Sequence, residues 1–179
     1  MNAQALSLLE RAGAAEVEHP GGTLLAHLRR TGDLLASWGA RPALATAGLC
    51  HALYGTDGFA TALAGLERRT EIADAIGAEA EEIVYVYASC DRTTAYRELA
   101  LEDGLFVDRF TGAHSRPGPG TRRDFAELTA ANELDLATVA PGFRADHAAG
   151  LLTLFTRWRP LLSEPAWAHC RRVLDATGG

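Results

Sequence analysis

The chain has 179 residues, 47% of them hydrophobic and 7% aromatic, and a formal net charge of −6. This length suits a single domain over 1–179 whose core needs neither disulfides nor structural metal to fold. The acidic balance argues against nucleic acid as a partner and favours a small-molecule substrate.

The three cysteines, Cys50, Cys90 and Cys170, are widely spaced and form no CxxC pair, which is typical of buried thiols in a reducing compartment. No stretch approaches the roughly 18 apolar residues of a membrane span, and the first residues lack the basic segment of a signal peptide. We therefore expect a cytoplasmic protein with no membrane contact. Its assembly is left open, and a homodimer is one candidate.

Apolar residues at helical spacing predict helices through the first half of the chain. Thr23 can cap the second of these helices, Gly39 can end it and Pro42 can open the third. The third is nearly all apolar, so we expect it to be buried. The predicted helices cover residues 2–11, 24–38, 42 to 51 or 54, 70–77 and 78–90.

The helical pattern weakens after residue 91. Residues 105–110 alternate like a strand and Thr111 begins a turn with the next glycine, which predicts one small β-hairpin near 105–112. The Pro- and Gly-rich stretch 114–120 predicts an exposed loop. Further helices are predicted over 122–139, 144–162 and 163–176. The expected fold class is therefore all-α, with at most this one hairpin.

Three chemically reactive side chains are predicted to face the interior. His27 shares a helix face with Leu24, and His51 ends the apolar third helix just before a turn. Asp135 lies on an apolar helix face, and Asn132 lies on that face three residues earlier. A buried carboxylate needs a partner, and a metal held by two imidazoles and one carboxylate would satisfy all three groups. Such a set suits Zn, Fe or Mn.

The order of these groups resembles the HD-domain superfamily, an all-α fold of metal-dependent phosphohydrolases and a few di-iron oxygenases. The family's first histidine is matched by His27 in AHLRRTGDLLASWG, its second by His51 in AGLCHAL, and its late aspartate by Asp135 in TAANELDLA. The run HALYGTDGF is similar to that of an uncharacterised HD-like subgroup. The resemblance spans about residues 19–139 and implies an HD-like helical bundle with a metal bound by His27, His51 and Asp135.

The chain departs from the family at the residue after His51. The family has an aspartate there, a metal ligand that often bridges two ions, whereas this chain has Ala52. The expected cofactor is therefore one divalent ion of Fe, Mn or Zn rather than two. The loss of all metal is the alternative.

Polar residues near the histidines are candidates for catalysis and substrate binding. Tyr54 and Asp57 follow His51 closely, and all three are predicted to be catalytic. Guanidinium groups match phosphate or carboxylate oxygens, which makes arginines candidates for an anionic substrate. Glu133 is expected to be exposed, because it lies one residue off the Asp135 face. The predicted substrate-binding residues are His19, Thr56, Arg68, Arg92 and Asn132.

These observations favour a metal-dependent hydrolase that acts on a small anionic metabolite, phosphorylated in one version, through a mononuclear His/His/Asp site. Three alternatives stay open. The first is a non-haem iron oxygenase with the same ligands. The second is a metal-free lyase, isomerase or cyclase in which the histidines do acid–base work. The third is a non-catalytic, ligand-binding HD-like module, which Ala52 favours.

Overall fold

The computed structural model describes residues 3–59 and 61–175. Within these ranges the chain is mostly helical, as predicted, with nine α-helices and two small antiparallel hairpins. The helices are α1 (Ala3–Arg11), α2 (Leu24–Ser37), α3 (Pro42–Cys50), α4 (Arg69–Ile76), α5 (Ala78–Ser89), α6 (Arg92–Glu98), α7 (Pro119–Val139), α8 (Pro141–Arg157) and α9 (Glu164–Leu174). The strands are β1 (Glu18–His19), β2 (Gly22–Thr23), β3 (Phe106–Val107) and β4 (His114–Ser115).

Capping residues read from the sequence begin several helices as expected. The Thr23 side chain accepts a hydrogen bond from the Ala26 N–H at 3.2 Å at the start of α2. Pro42 is the first residue of α3, where its missing N–H costs nothing.

No helix in the described part of the chain is long and apolar enough to cross a membrane.

Some elements begin or end away from their predicted positions. The hairpin predicted near 105–112 forms from strands β3 and β4, which pair Phe106 with Ser115. Helices α7 and α8 each begin at a proline, Pro119 and Pro141, a few residues earlier than predicted. A proline suits the first turn of a helix, so it can begin a helix as readily as end one.

Two short elements were missed by the sequence pattern. Helix α6 has seven residues with only Ala95 buried, too few to show a helical period. Its start is fixed by Asp91, whose side chain accepts from the Thr94 N–H at 2.8 Å. The hairpin of β1 and β2 pairs His19 with Gly22 and places the histidine beside α2.

Helix α7 is the central helix of the molecule. Every residue from 124 to 135 is buried, which covers more than three turns and therefore all faces of the helix. It packs against α2, α3, α5, α8 and α9. Its polar side chains must consequently find partners inside the protein rather than in water.

Candidate functional site

A cavity of about 280 Å³ lies where α2, the end of α3 and α7 meet. Its size suits a small molecule or one end of a larger one. Six of the residues predicted from sequence line it: His19, His27, His51, Thr56, Arg92 and Asn132.

His27, on α2, is held from behind by a carboxylate. Its Nδ1 lies 2.6 Å from Oδ2 of Asp135, and the His27 side chain is only 1% exposed. Arg30, one turn further along α2, donates to both oxygens of that carboxylate, at 2.6 and 3.0 Å. Burial alone would raise the pKa of Asp135, but the hydrogen bonds from His27 and Arg30 lower it below its usual value. The ionised carboxylate can only accept, so His27 Nδ1 carries a hydrogen.

His51 caps the C-terminal end of α3, and its ring is also fixed from behind. Its Nδ1 lies 2.8 Å from the carbonyl oxygen of Gly48, which can only accept, so this nitrogen carries a hydrogen. Burial, with a contribution from nearby His27, lowers the pKa of His51 to about 3. The ring is therefore neutral at physiological pH, and its Nε2 presents a lone pair to the cavity.

Three acceptor atoms converge in the cavity wall. His27 Nε2 lies 3.4 Å from His51 Nε2 and 3.0 Å from Oδ1 of Asn132. The Asn132 Nδ2 donates to Oε1 of Glu133 at 3.2 Å, which turns the amide oxygen towards the histidines. Three lone pairs that face one another repel, so this arrangement favours a positively charged group, such as a metal ion, among them.

The structure does not arrange His27, His51 and Asp135 as a ligand set. The Asp135 oxygens are engaged by Arg30 and by His27 Nδ1, so the carboxylate lies behind the imidazole and not beside its free nitrogen. Within residues 3–59 and 61–175, no three His, Cys, Asp or Glu side chains are placed to hold one metal ion. A protein metal site here would instead use the two Nε2 atoms and the Asn132 oxygen.

His19 forms part of the cavity wall through β1. Its ring stacks on His27, with ring centres 4.2 Å apart and planes 23° apart, and its edge meets Phe59. Burial, followed by the proximity of His27, lowers the pKa of His19 to about 4. The histidine is therefore neutral at physiological pH.

Arg92, the first residue of α6, brings a cation to the cavity. Its Nη1 lies 3.5 Å from Glu133, and its Nη2 lies 3.4 Å from the hydroxyl of Tyr87. Glu133 was expected to be exposed but is only 7% exposed, because α7 is enclosed on every side. Burial raises the pKa of Glu133. The distance between the Arg92 guanidinium and the Glu133 carboxyl group is long for an ion pair, so the guanidinium remains able to bind an anion in the cavity.

Tyr54 and Arg68 do not line the cavity. The Tyr54 hydroxyl donates to buried Glu81 at 2.8 Å, which fixes the chain after α3 but turns the phenol away from the histidines. Arg68 lies on a short 3-10 turn and pairs with Glu71 on the exposed surface. Their predicted roles in catalysis and substrate binding therefore have no support in this arrangement.

Asp57 and Thr56 have different positions despite being neighbours. Thr56 lines the cavity and is buried. Asp57 accepts a hydrogen bond from the backbone N–H of Arg92 at 2.9 Å. It therefore supports the start of α6 from outside the cavity, which makes it a positioning residue for Arg92 and not the predicted catalytic group.

Three residues of the candidate site were not predicted from the sequence. Arg30 lies three residues after His27, a spacing that places the two side chains on neighbouring parts of one helix face but does not identify Asp135 as their partner. Phe59 and Phe143 line the cavity and come from a loop and from α8. Phe59 ends the run HALYGTDGF that begins at His51, whereas no sequence signal relates Phe143 to the histidines.

Comparisons with known proteins cover part of the chain. Residues 8–92 match the family model of DUF6817, a domain of unknown function. No curated protein and no solved structure matches the chain significantly. The matched stretch contains the three cavity histidines and ends at Arg92, before α7 supplies Asn132 and Asp135.

Proposed function

We propose that the protein is a metal-dependent hydrolase of a small anionic metabolite. One divalent ion would be held by His27 Nε2, His51 Nε2 and Asn132 Oδ1. The observation that carries the proposal is the convergence of these three acceptor atoms in the cavity wall, with His27 Nε2 lying 3.4 Å from His51 Nε2 and 3.0 Å from Asn132 Oδ1. Asp135 would have a different role from the one expected from the sequence, since its hydrogen bond to Nδ1 orients the His27 ring.

The hydrogen bonds behind both rings support a metal. Metal-binding histidines commonly donate their other N–H to a carboxylate or a backbone carbonyl, as His27 does to Asp135 and His51 to Gly48. Two imidazole nitrogens bound tetrahedrally at 2.0–2.1 Å lie about 3.3–3.4 Å apart. The observed separation of 3.4 Å between the Nε2 atoms agrees with this value. Zn and Fe are the ions that imidazole suits best among those expected.

The remaining wall residues suit hydrolysis of an anionic molecule. A bound ion of this kind polarises a scissile bond and lowers the pKa of its water to about 7. Arg92 would neutralise and orient an anionic group of the substrate, because a guanidinium pairs with oxyanions through two parallel bonds. Phe59 and Phe143 would exclude water around the bound substrate. Ala52 leaves space in the cavity that a longer side chain would fill.

Elemental analysis and calorimetric titration with Zn²⁺, Mn²⁺ and Fe²⁺ test the metal site on protein purified without a histidine tag. We expect about one ion per chain for wild type and loss of binding in His27→Ala and His51→Ala. Asp135→Asn should weaken binding about 10–100-fold, as for other partners of metal-bound histidines. His114→Ala, at an exposed histidine of β4, is the matched control and should bind like wild type.

Two results would contradict the proposal. One is a wild-type protein that takes up none of the three ions. The other is uptake that survives in both His27→Ala and His51→Ala.

The hydrolase assignment is tested separately with a panel of phosphate and carboxylate esters. Turnover that requires the ion, and that His51→Ala removes, is expected; turnover unaffected by a chelator would overturn it.

A metal-free acid–base enzyme is the second candidate, and one specific observation favours it. The 2.6 Å hydrogen bond between His27 and Asp135 would hold the imidazole with its Nε2 facing the cavity, where it could act as an acid–base group. Activity would then survive a chelator and follow a bell-shaped pH profile that His27→Gln abolishes.

A further inference from the structure

A second, open basin adjoins the cavity lined by His19, His27 and His51, which is called the histidine cavity below. It has a volume of about 480 Å³ and lies between α6 and α8. Arg92, Glu133 and Phe143 line both spaces, so these three side chains form the boundary between them. A molecule larger than the inner cavity would therefore extend past Arg92 into this outer basin.

The rim of the outer basin carries two arginines without carboxylate partners. Arg97 Nε donates to the backbone carbonyl of Thr93 at 3.1 Å, and Arg157 Nη1 donates to that of Tyr96 at 3.3 Å. In the part of the chain that the structure describes, neither guanidinium forms an ion pair within 4.0 Å.

The charge balance of the basin favours an anion. Arg92, Arg97 and Arg157 face it with positive charge, against the carboxylates of Glu133 and Asp146. The whole chain has a net charge of −6, so this local excess of positive charge runs against the balance of the protein. Positive charge concentrated in a concave surface attracts and orients anionic ligands.

The inner face of the basin is apolar. Leu151 and Leu154 on α8 are 9% and 8% exposed and form part of its wall, beside Phe143. The Phe143 ring also packs against His147, with ring centres 4.5 Å apart. Such a surface suits the carbon skeleton or ring of an organic molecule, while the arginines at the rim suit its charged end.

We propose that the outer basin binds a distal oxyanion, a phosphate or carboxylate group, of the substrate whose reacting end lies in the histidine cavity. The site is built from Arg97 and Arg157, with Phe143, Leu151 and Leu154 against the organic body of the ligand. The assignment of the reacting end rests on the proposed function, whereas binding of the oxyanion does not. The substrate is therefore an elongated organic anion rather than a compact one.

Titration of the full-length protein with phenyl phosphate and, separately, with benzoate tests the site and distinguishes the two oxyanions. We expect the double variant Arg97→Gln/Arg157→Gln to bind the preferred probe about tenfold more weakly or worse, since two charged hydrogen-bond donors are lost. Arg116→Gln is the matched control, because Arg116 is also exposed and donates only to a backbone carbonyl, that of Asp103.

A steric variant tests the same basin without removing charge. A Cβ at Gly150 or at Gly142 would meet no atom within 4 Å, so both positions on α8 tolerate a side chain. Gly150 lines the basin and Gly142 does not. Gly150→Phe should therefore block the probe, whereas Gly142→Phe should leave its affinity unchanged.

The proposal is overturned if neither probe binds at millimolar concentration, or if both basin variants bind like wild type. Metal uptake is measured on the same proteins to separate the two proposals. Normal metal uptake without probe binding refutes the oxyanion site alone. Probe binding that depends on Arg97 and Arg157 without metal uptake refutes only the metal-dependent function.

Discussion

Asp135 shows how one buried residue organises the candidate site. Its side chain is only 5% exposed, and it meets Arg30 through two hydrogen bonds and His27 through one. Removing one member of such a buried ionic group leaves the other partners uncompensated. Asp135 therefore contributes to the folding of the protein and to the orientation of His27 at the same time.

We predict that Asp135→Asn lowers the free energy of unfolding of the metal-free protein by about 2–3 kcal/mol at pH 7, since it breaks a buried charge pair with a partly exposed arginine. Asp33→Asn, at an exposed position of α2, should change it by less than about 0.5 kcal/mol. Urea denaturation of the three proteins measures both effects. Equal stability of Asp135→Asn and wild type would show that the ionic group contributes nothing net.

The same substitution has a defined pH dependence. Because the pKa of Asp135 is lowered in the folded protein, its stabilisation is complete above the usual aspartate pKa of about 4. It is lost as the pH falls through the lower, folded pKa. The stability difference between wild type and Asp135→Asn should therefore shrink below about pH 4. A difference that stays constant down to pH 2 would contradict the charged role.

Helices α2 and α3 determine how closely the two histidines approach. The helices pack backbone against backbone at Gly32 and Gly48, where a Cβ on Gly48 would lie 3.3 Å from Gly32 Cα and would clash with Leu35. Leu35 is fully buried and has little freedom to move. The Gly48 carbonyl also accepts from His51, so this crossing positions the ring as well.

We predict that Gly48→Ala lowers the free energy of unfolding by about 1–3 kcal/mol, because overpacking at the crossing outweighs the better helix propensity of alanine. Gly150→Ala, in the exposed part of α8, should instead raise it by up to about 1 kcal/mol. Thermal or urea unfolding of wild type and the two variants measures both changes in the free energy of unfolding. Stabilisation by both substitutions would mean that α2 and α3 can separate at no cost.

The candidate site depends on the whole molecule, because β1, α2, the segment after α3, α6, α7 and α8 each supply lining residues. A ligand that binds only when these elements are assembled stabilises the folded state by mass action. We predict that Zn²⁺ or Fe²⁺ at about 100 times its dissociation constant adds about 2.7 kcal/mol, which corresponds to about 5–10 °C in Tm.

The thermal shift should be reversed by a chelator and absent in His51→Ala, while His114→Ala should retain it. Differential scanning fluorimetry measures the shift in wild type with the ion, in wild type with ion and chelator, in His51→Ala and in His114→Ala. The measurements with Fe²⁺ are made under anaerobic conditions. An equal shift in His51→Ala would mean that the ion binds elsewhere on the protein.

The sequence by itself determined the helical class and the inward position of the reactive groups. Helical periodicity and caps are local, so Thr23, Pro42 and the inward face of His27 could be read without knowledge of distant residues. The burial of Asp135 followed from its apolar neighbours in the same way.

Only the tertiary structure decided which atoms meet. His27 and Asp135 are 108 residues apart, and no local pattern indicates that Nδ1 rather than Nε2 faces the carboxylate. Glu133 proved buried because five helices enclose α7, and Tyr54 turned to Glu81 because α5 lies beside it. The partner of a buried polar group is set by whichever element packs against it, and that depends on the assembled fold rather than on any single segment.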